Sequence, residues 1–191
     1  NDEVFRYDEN IGSLCVIDGG QVRNVFGGGY QGKIEGNSGV SIGTTAGTSF
    51  FAGVPTILRS AYGGGEMAVV TGTSTVNMYN GYIGYRYHAD AAENKKYQPE
   101  LKLNADDEAN LLSENGNLYG AGFGEGAVVM QTQVRLYGGT IRNGLYGGGE
   151  IAAVGDGERN DDGSYTVNQG GQTNVYMYGG LVVGDVFGGG R

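Results

Sequence analysis

Few residues of this chain combine the type and the spacing that chemistry requires. In DGERNDDGSYTVNQ (156–169), Glu158, Asn160 and Asp162 followed by Gly163 imitate the opening of an oxygen-ligand calcium loop. That motif wants Asp first and Glu at the twelfth place, whereas this chain has Glu158 first and Gln169 twelfth, with no flanking helix pattern. The segment therefore reads first as a solvated turn and second as a structural calcium site, the one cofactor the sequence offers. His88 is the only histidine, has no cysteine near it, and reads as a solvated loop residue before a metal ligand or general base. Gly120-Ala121-Gly122-Phe123-Gly124 superficially matches a dinucleotide fingerprint, but no helix follows it, and no lysine stands where a Walker phosphate loop needs one.

Cleavage of a polysaccharide needs paired carboxylates. Glu66, Glu125 and Glu150 each stand just after or within a glycine segment. Repetition with the glycines makes them a surface stripe sooner than a unique acid pair, so no catalytic residue is assigned and a glycan-cleaving enzyme is the lesser reading. Tyr79, Tyr137, Tyr176 and Tyr178 fall at outward positions of an alternating pattern. Such a row could contact sugar rings or another protein, or stack on itself without any ligand.

These residues are positioned by a repeat. Aromatic-GGG occurs at Phe26–Gly29, Tyr62–Gly65, Tyr146–Gly149 and Phe187–Gly190, with Tyr119-Gly120-Ala121-Gly122 as a variant. Glycine reaches 40 of 191 residues, far above the usual ~7%, while only 2 prolines are present. The triplets begin at 27, 63, 120, 147 and 188, and the shortest gap, 27 residues, holds one complete unit. The longer gaps are the same unit with insertions, the largest spanning 85–116. In that insertion, 90–96 and 105–115 have the composition of short helices, the second capped by Asn104 and ended by Gly116.

Within the unit, side chains alternate. TQVRLYGG (132–139), TNVYMYGG (173–180) and STVNMYNG (74–81) align with Val134, Val175 and Val76 at one position and Leu136, Met177 and Met78 two further on. Period two with one apolar face predicts strands. LCVIDGG (14–20) puts the only cysteine, Cys15, at the valine position, where it acts as a small buried hydrophobe, and Ile17 at the leucine position. A second segment follows each GG (21–26, 140–146, 181–187), its Val22, Ile141 and Val182 pointing inward, and Val25, Leu145 and Val186 inward again after a bend. A third follows the triplet (66–70, 125–129, 150–154).

Three short strands per roughly 27 residues predict an all-β fold, a parallel β-helix (β-solenoid), expected right-handed, with loop insertions. A Gly-rich antiparallel sandwich is the alternative. In the solenoid each GGG marks a corner, where glycine permits left-handed dihedrals and close backbone approach. The preceding aromatic rings would stack beside it.

The net charge of −9, from 12 Lys and Arg against 21 Asp and Glu, makes nucleic acid a poor partner. No run reaches the roughly 18 apolar residues of a membrane span. VRLYGGTIRNGLYGGGE (134–150) and VYMYGGLVVGDVFGGG (175–190) resemble the Gly-rich β-helix repeats of bacterial surface proteins of the adhesin-like or autotransporter-like kind, common in anaerobic gut bacteria such as Bacteroides relatives. The resemblance covers about residues 14–84 and 117–190. It implies export, a cell-surface or extracellular setting, and a noncatalytic structural or adhesion role toward a host glycan or an extracellular protein. It supplies no catalytic residues. A carbohydrate-binding module and a polysaccharide-degrading enzyme are the alternatives. Residues 1–191 read as one solenoid domain, expected to be a piece of a longer repetitive protein, whose open strand edges would favour edge-to-edge self-association.

Overall fold

The computed structural model describes residues 11–43, 54–99, 115–159 and 165–191. The fold is all-β, with three parallel sheets. Sheet I contains β1 (Ile11–Ile17), β4 (Asn37–Ile42), β7 (Val69–Met78), β12 (Val128–Leu136) and β17 (Gln172–Met177). Sheet II contains β2 (Gln21–Val22), β5 (Thr56–Ile57), β8 (Tyr82–Ile83), β13 (Thr140–Ile141) and β18 (Leu181–Val182). Sheet III contains β3 (Val25–Phe26), β6 (Ala61–Tyr62), β11 (Leu118–Tyr119), β14 (Leu145–Tyr146) and β19 (Val186–Phe187). The chain visits sheets I, II and III in that order in five successive repeats.

Register follows chemistry. Cys15, Val40, Val76, Val134 and Val175 pair in sequence across sheet I, as do Ile17, Ile42, Met78, Leu136 and Met177. Val22, Ile57, Ile83, Ile141 and Val182 do so in sheet II. These inward ladders form the core, in which Val40, Val76, Val134, Ile83, Ile141 and Leu145 are buried and Cys15 is partly buried against them. A slip of one residue would turn each apolar set outward, so burial fixes the pairing.

Two differences from the sequence reading concern the strands. Each second segment is two strands, one in sheet II and one in sheet III, divided by a bend. The third segment is no separate strand in repeats 3 and 4: Val69–Val70 and Val128–Val129 open the long strands β7 and β12, ahead of a register shift. Their inner residues, Val70 and Val129, join Ala121 in a second small core. Sheet III advances by 27 residues between the paired Leu118 and Leu145, and its other steps carry insertions. Repeat 2 enters through Asn37–Ile42 and Thr56–Ile57, segments the repeat pattern did not expose.

The glycines serve two separate purposes. At the bend from sheet I to sheet II, Gly20, Gly43, Gly81, Gly139 and Gly180 have φ between 69° and 119°, a region closed to most side chains. No triplet glycine does so. The triplets exist for close approach instead. A Cβ on Gly27, Gly63, Gly120 or Gly147 would strike the carbonyl oxygen of the first triplet glycine in the next repeat. Those first carbonyls accept no backbone hydrogen bond among the described residues. Side chains of sheet I satisfy three of these and Gly27 O as well: Ser38 Oγ donates to Gly63 O at 2.8 Å, Thr132 and Thr173 donate likewise to Gly147 and Gly188, and Ser13 to Gly27. Ser74, the equivalent residue of repeat 3, is buried with its hydroxyl unpartnered.

Insertions leave at fixed places. Gly84 and Gly116 stand together where residues 85–115 depart between sheets II and III. That excursion begins as an antiparallel hairpin, β9 (Tyr85–Tyr87) with β10 (Tyr97–Pro99). The helix expected at 90–96 is a single 3-10 turn, Glu93–Lys95, without a side-chain cap. The second expected helix and Asn104 lie outside the described residues, apart from Asn115. The acidic insertion is a β-hairpin too. β15 (Ala153–Arg159) starts beside β12, leaves the sheet, and returns as the antiparallel β16 (Tyr165–Gly170) before β17 resumes the pairing with β12.

Candidate functional site

Three constellations of polar and aromatic side chains stand out on this scaffold. The first is the tyrosine row. The bend after sheet I places Tyr79, Tyr137 and Tyr178 one above another in repeats 3, 4 and 5, with ring centroids 4.9 and 5.1 Å apart and planes within 4° and 18° of parallel. Tyr176 lies beside Tyr178 at 6.2 Å, and Arg135 sits over its ring at 5.9 Å. All four residues expected at this surface are thus brought together, and Tyr137, Tyr176 and Tyr178 are exposed. The stacking alters what the row can do. A sugar platform presents ring faces, whereas Tyr79, Tyr137 and Tyr178 spend those faces on each other and present edges and hydroxyls at a spacing near one strand separation.

The second constellation is buried at its centre, Tyr62 and Tyr119, and exposed at Phe187. The aromatics preceding the triplets stack through the whole molecule: Phe26, Tyr62, Tyr119, Tyr146 and Phe187, at 4.8, 5.0, 4.8 and 5.0 Å between neighbours. Tyr62 O–H donates to Glu150 Oε2 at 2.6 Å, and Arg191 Nη1 lies 3.6 Å from Glu150 Oε1. Burial, followed by the Glu150 hydrogen bond, pushes the Tyr62 phenol far above its ordinary value, and burial with the Glu150 charge raises Tyr119 in the same direction. Glu150 is only 8% exposed.

The predicted acidic stripe takes a different form. Glu66 and Glu150 each bridge Phe123, which occupies the position between them in repeat 3, while Glu125 is exposed two residues beyond. Glu150 is therefore held inside a polar clamp that spans the repeats of Tyr62 and Arg191. Sequence reasoning missed this clamp because no short-range pattern links residues 62, 150 and 191.

The third constellation was also missed. Tyr82 of sheet II stacks on Tyr97 at 3.9 Å, with Tyr85 and Tyr87 packed against the pair at 5.8 Å from Tyr82 and 5.2 Å from Tyr97. This cluster anchors the base of the 85–116 insertion. The alternation in YRY, followed by a tyrosine after KK, was the available signal for a hairpin. His88 belongs to the turn of that hairpin, its backbone N–H donating to Lys96 O.

Of the calcium candidates, Glu158 is in β15, paired with Thr166 across the hairpin, while Asn160 and Asp162 lie outside the described residues. Gln169, at the twelfth place, pairs with Asp156. Among the described residues no group of three His, Cys, Asp or Glu is arranged to hold a metal. No helix there is long and apolar enough to cross a membrane. Compared with protein-family models, with curated proteins and with solved structures, the chain matches none.

Proposed function

We propose that the three sheets are the faces of a right-handed β-solenoid, with a basic coil of about the 27 residues that separate Leu118 from Leu145. We further infer that it acts as a noncatalytic structural or adhesion module of a cell surface or secreted protein. The right hand follows from the strong preference of parallel crossover connections. One observation carries the functional reading: chemically equivalent residues stack repeat after repeat, so the aromatic ladders and the polar groups beside the glycine triplets are engaged in packing. The hydroxyls of Ser38, Thr132 and Thr173 close the glycine corners, and the Glu150 carboxylate is bound by Tyr62. Such a scaffold presents surface rather than a reaction centre.

A second reading, carbohydrate binding, is favoured by the exposure of the tyrosine row. With ring faces engaged, its hydroxyl edges suit an extended glycan chain running along the stack. The fitting experiment is an array of glycans and extracellular-matrix proteins, with release of reducing ends measured in parallel. Saturable capture without release supports the module. Turnover of any polysaccharide overturns the noncatalytic reading. Glycan capture that survives replacement of Tyr79, Tyr137 and Tyr178 by Ser removes the row from the account.

A further inference from the structure

The bend between sheets II and III concentrates positive charge on an otherwise acidic chain. Backbone hydrogen bonds set its register. Leu58 N–H donates to Val22 O and Arg59 N–H to Arg23 O, while Gly84 N–H donates to Ile57 O and Arg142 N–H to Ile83 O. Arg23, Arg59 and Arg142 therefore lie in one bend in repeats 1, 2 and 4, with Arg142 at the level of Leu58 and Gly84 and Arg59 one residue further along. In repeat 3 that corner is held by Gly84 and Gly116, which leave no side chain between Arg59 and Arg142. The Arg142 stem lies over them, its Cβ 3.0 and 3.1 Å from where their Cβ atoms would stand. Among the described residues neither Arg23 nor Arg59 makes an ion pair. Among the described carboxylates near it, Glu93 is paired with Lys96, Asp90 is exposed in the hairpin turn, and Asp185 belongs to the equivalent bend of repeat 5.

We propose that this corner binds a linear acidic polysaccharide, one bearing a carboxylate on alternate sugars and running along the repeats. Arg59 and Arg142 are two repeats apart and offset by one residue, which puts their backbones on the order of 10 Å apart at the usual strand separation. That spacing fits carboxylates separated by an intervening neutral sugar. Arg23 extends the row by a further repeat, and guanidinium is the cation whose fork matches a carboxylate. The tyrosine hairpin rises from the middle of the row, and Tyr87 is exposed beside it, with a ring able to contact a sugar. Nucleic acid fits less well. Its affinity is built from many phosphate contacts on a broad basic surface, and a net charge of −9 opposes it.

The proposal names a ligand class for the surface module inferred above and rests on that reading. Binding of the whole chain to immobilised hyaluronan, which carries one carboxylate per disaccharide, is the test, with neutral dextran and oligo(dT) as comparisons at low and physiological salt. Saturable hyaluronan binding that weakens with salt is expected. Replacing Arg23 and Arg59 by Gln together with Arg142→Met, which keeps the stem over the glycines, should weaken it at least about tenfold, the order of one charge-assisted hydrogen bond. Lys33→Gln, in the exposed segment between sheet III of repeat 1 and sheet I of repeat 2, should leave it unchanged. Circular dichroism and melting of every variant separate a lost site from a lost fold. With the fold intact, four results overturn the proposal: no hyaluronan binding at low salt, binding the triple variant retains, equal capture by dextran, or oligo(dT) binding as tightly. Any of them leaves the tyrosine row and the structural role of the module standing.

Discussion

Ser74 carries a buried hydroxyl with no hydrogen bond, in the position where Ser38 and Thr132 close the first glycine carbonyl of their own repeats. The γ-methyl of threonine stiffens χ1 and limits the directions its hydroxyl can take. Ser74→Thr is therefore expected to bring the hydroxyl onto Gly120 O and to stabilise the fold by about 1 kcal/mol, the usual value of one hydrogen bond. Thr132→Ala should cost about as much or more, since it leaves a buried carbonyl unsatisfied. Denaturant unfolding of both variants checks the pair, and a destabilised Ser74→Thr would show that the site cannot take the extra methyl. Ile151 is the second residue at odds with its place. It has φ 53°, the left-handed region that a β-branched residue avoids, and it is 61% exposed. Its register partner in repeat 3 is Gly124, which has φ 90°. Left-handed strain of about 1–2 kcal/mol exceeds the entropic cost of glycine. Ile151→Gly should consequently raise the melting midpoint by a few degrees. Tyr62 and Tyr119 bear on alkaline stability. Both phenols are raised above the ordinary value of 10, so their contribution is complete below that value and is lost as pH rises above it. The phenols of the unfolded chain then lose protons that the folded chain keeps. Unfolding followed with tyrosinate absorbance should show these two rings ionising only as the fold opens. Tyr62→Phe should flatten that alkaline loss while costing about 1–3 kcal/mol at neutral pH, because Glu150 stays buried without its hydroxyl donor.

Within the elements, alternation carried most of what the sequence could disclose. It matched Val76 with Val134 and Val175, placed Cys15 on the valine ladder, and put the triplet aromatics in a stack, because period two and in-register pairing leave one solution once a face is buried. Repeat 2 was hidden because Ser38, Gly39 and Ser41 dilute its apolar signal. The purpose of the triplets was only half legible: composition announces glycine, but whether dihedral or close approach demands it depends on the neighbouring repeat. The tyrosine row was readable, since its members keep a fixed offset from the apolar ladder. The Tyr62–Glu150 clamp and the arginine corner were not, since both are assembled between repeats separated by insertions of unequal length. The acidic hairpin shows how such insertions are accommodated. β12 crosses from Val129 to Gln131 through one residue, at the same level where β15 and β16 leave and re-enter beside it. A register shift is a natural exit, because the local ladder is already interrupted there. Replacing 155–171 by a single residue should accordingly preserve the β-sheet circular dichroism signal and the melting midpoint to within a few degrees. Loss of the fold would mean that the hairpin supports the sheet instead of decorating it.

At the scale of the whole molecule, the sheets pair each described repeat only with its neighbours, and the Tyr62–Glu150 hydrogen bond reaches one repeat further, so stability is distributed largely along the stack. Leu136 and Leu145 of repeat 4 are fully buried, whereas Met177 and Val186 at the matching positions of repeat 5 are each 48% exposed. Apolar burial contributes about 25 cal/mol per Å², so the same residue types stabilise the interior repeats far more than the last one. Hydrogen bonds follow the same gradient: sheet I of repeats 3 and 4 is paired on both sides, while β17 has one partner in that sheet. Local opening should therefore begin at repeat 5 of the 191-residue chain and move inward. Hydrogen exchange read by mass spectrometry is expected to show the strongest protection in Val69–Met78 and Val128–Leu136 and the weakest in Leu181–Val182 and Val186–Phe187. Uniform protection would mean that the five repeats open as a single unit, and it would remove the nearest-neighbour account of stability on which the solenoid reading depends. A gradient that a bound glycan flattens from repeats 1 to 4, and not at repeat 5, would map the ligand onto the arginine corner. Protection gained at Tyr137 and Tyr178 would instead assign it to the tyrosine row.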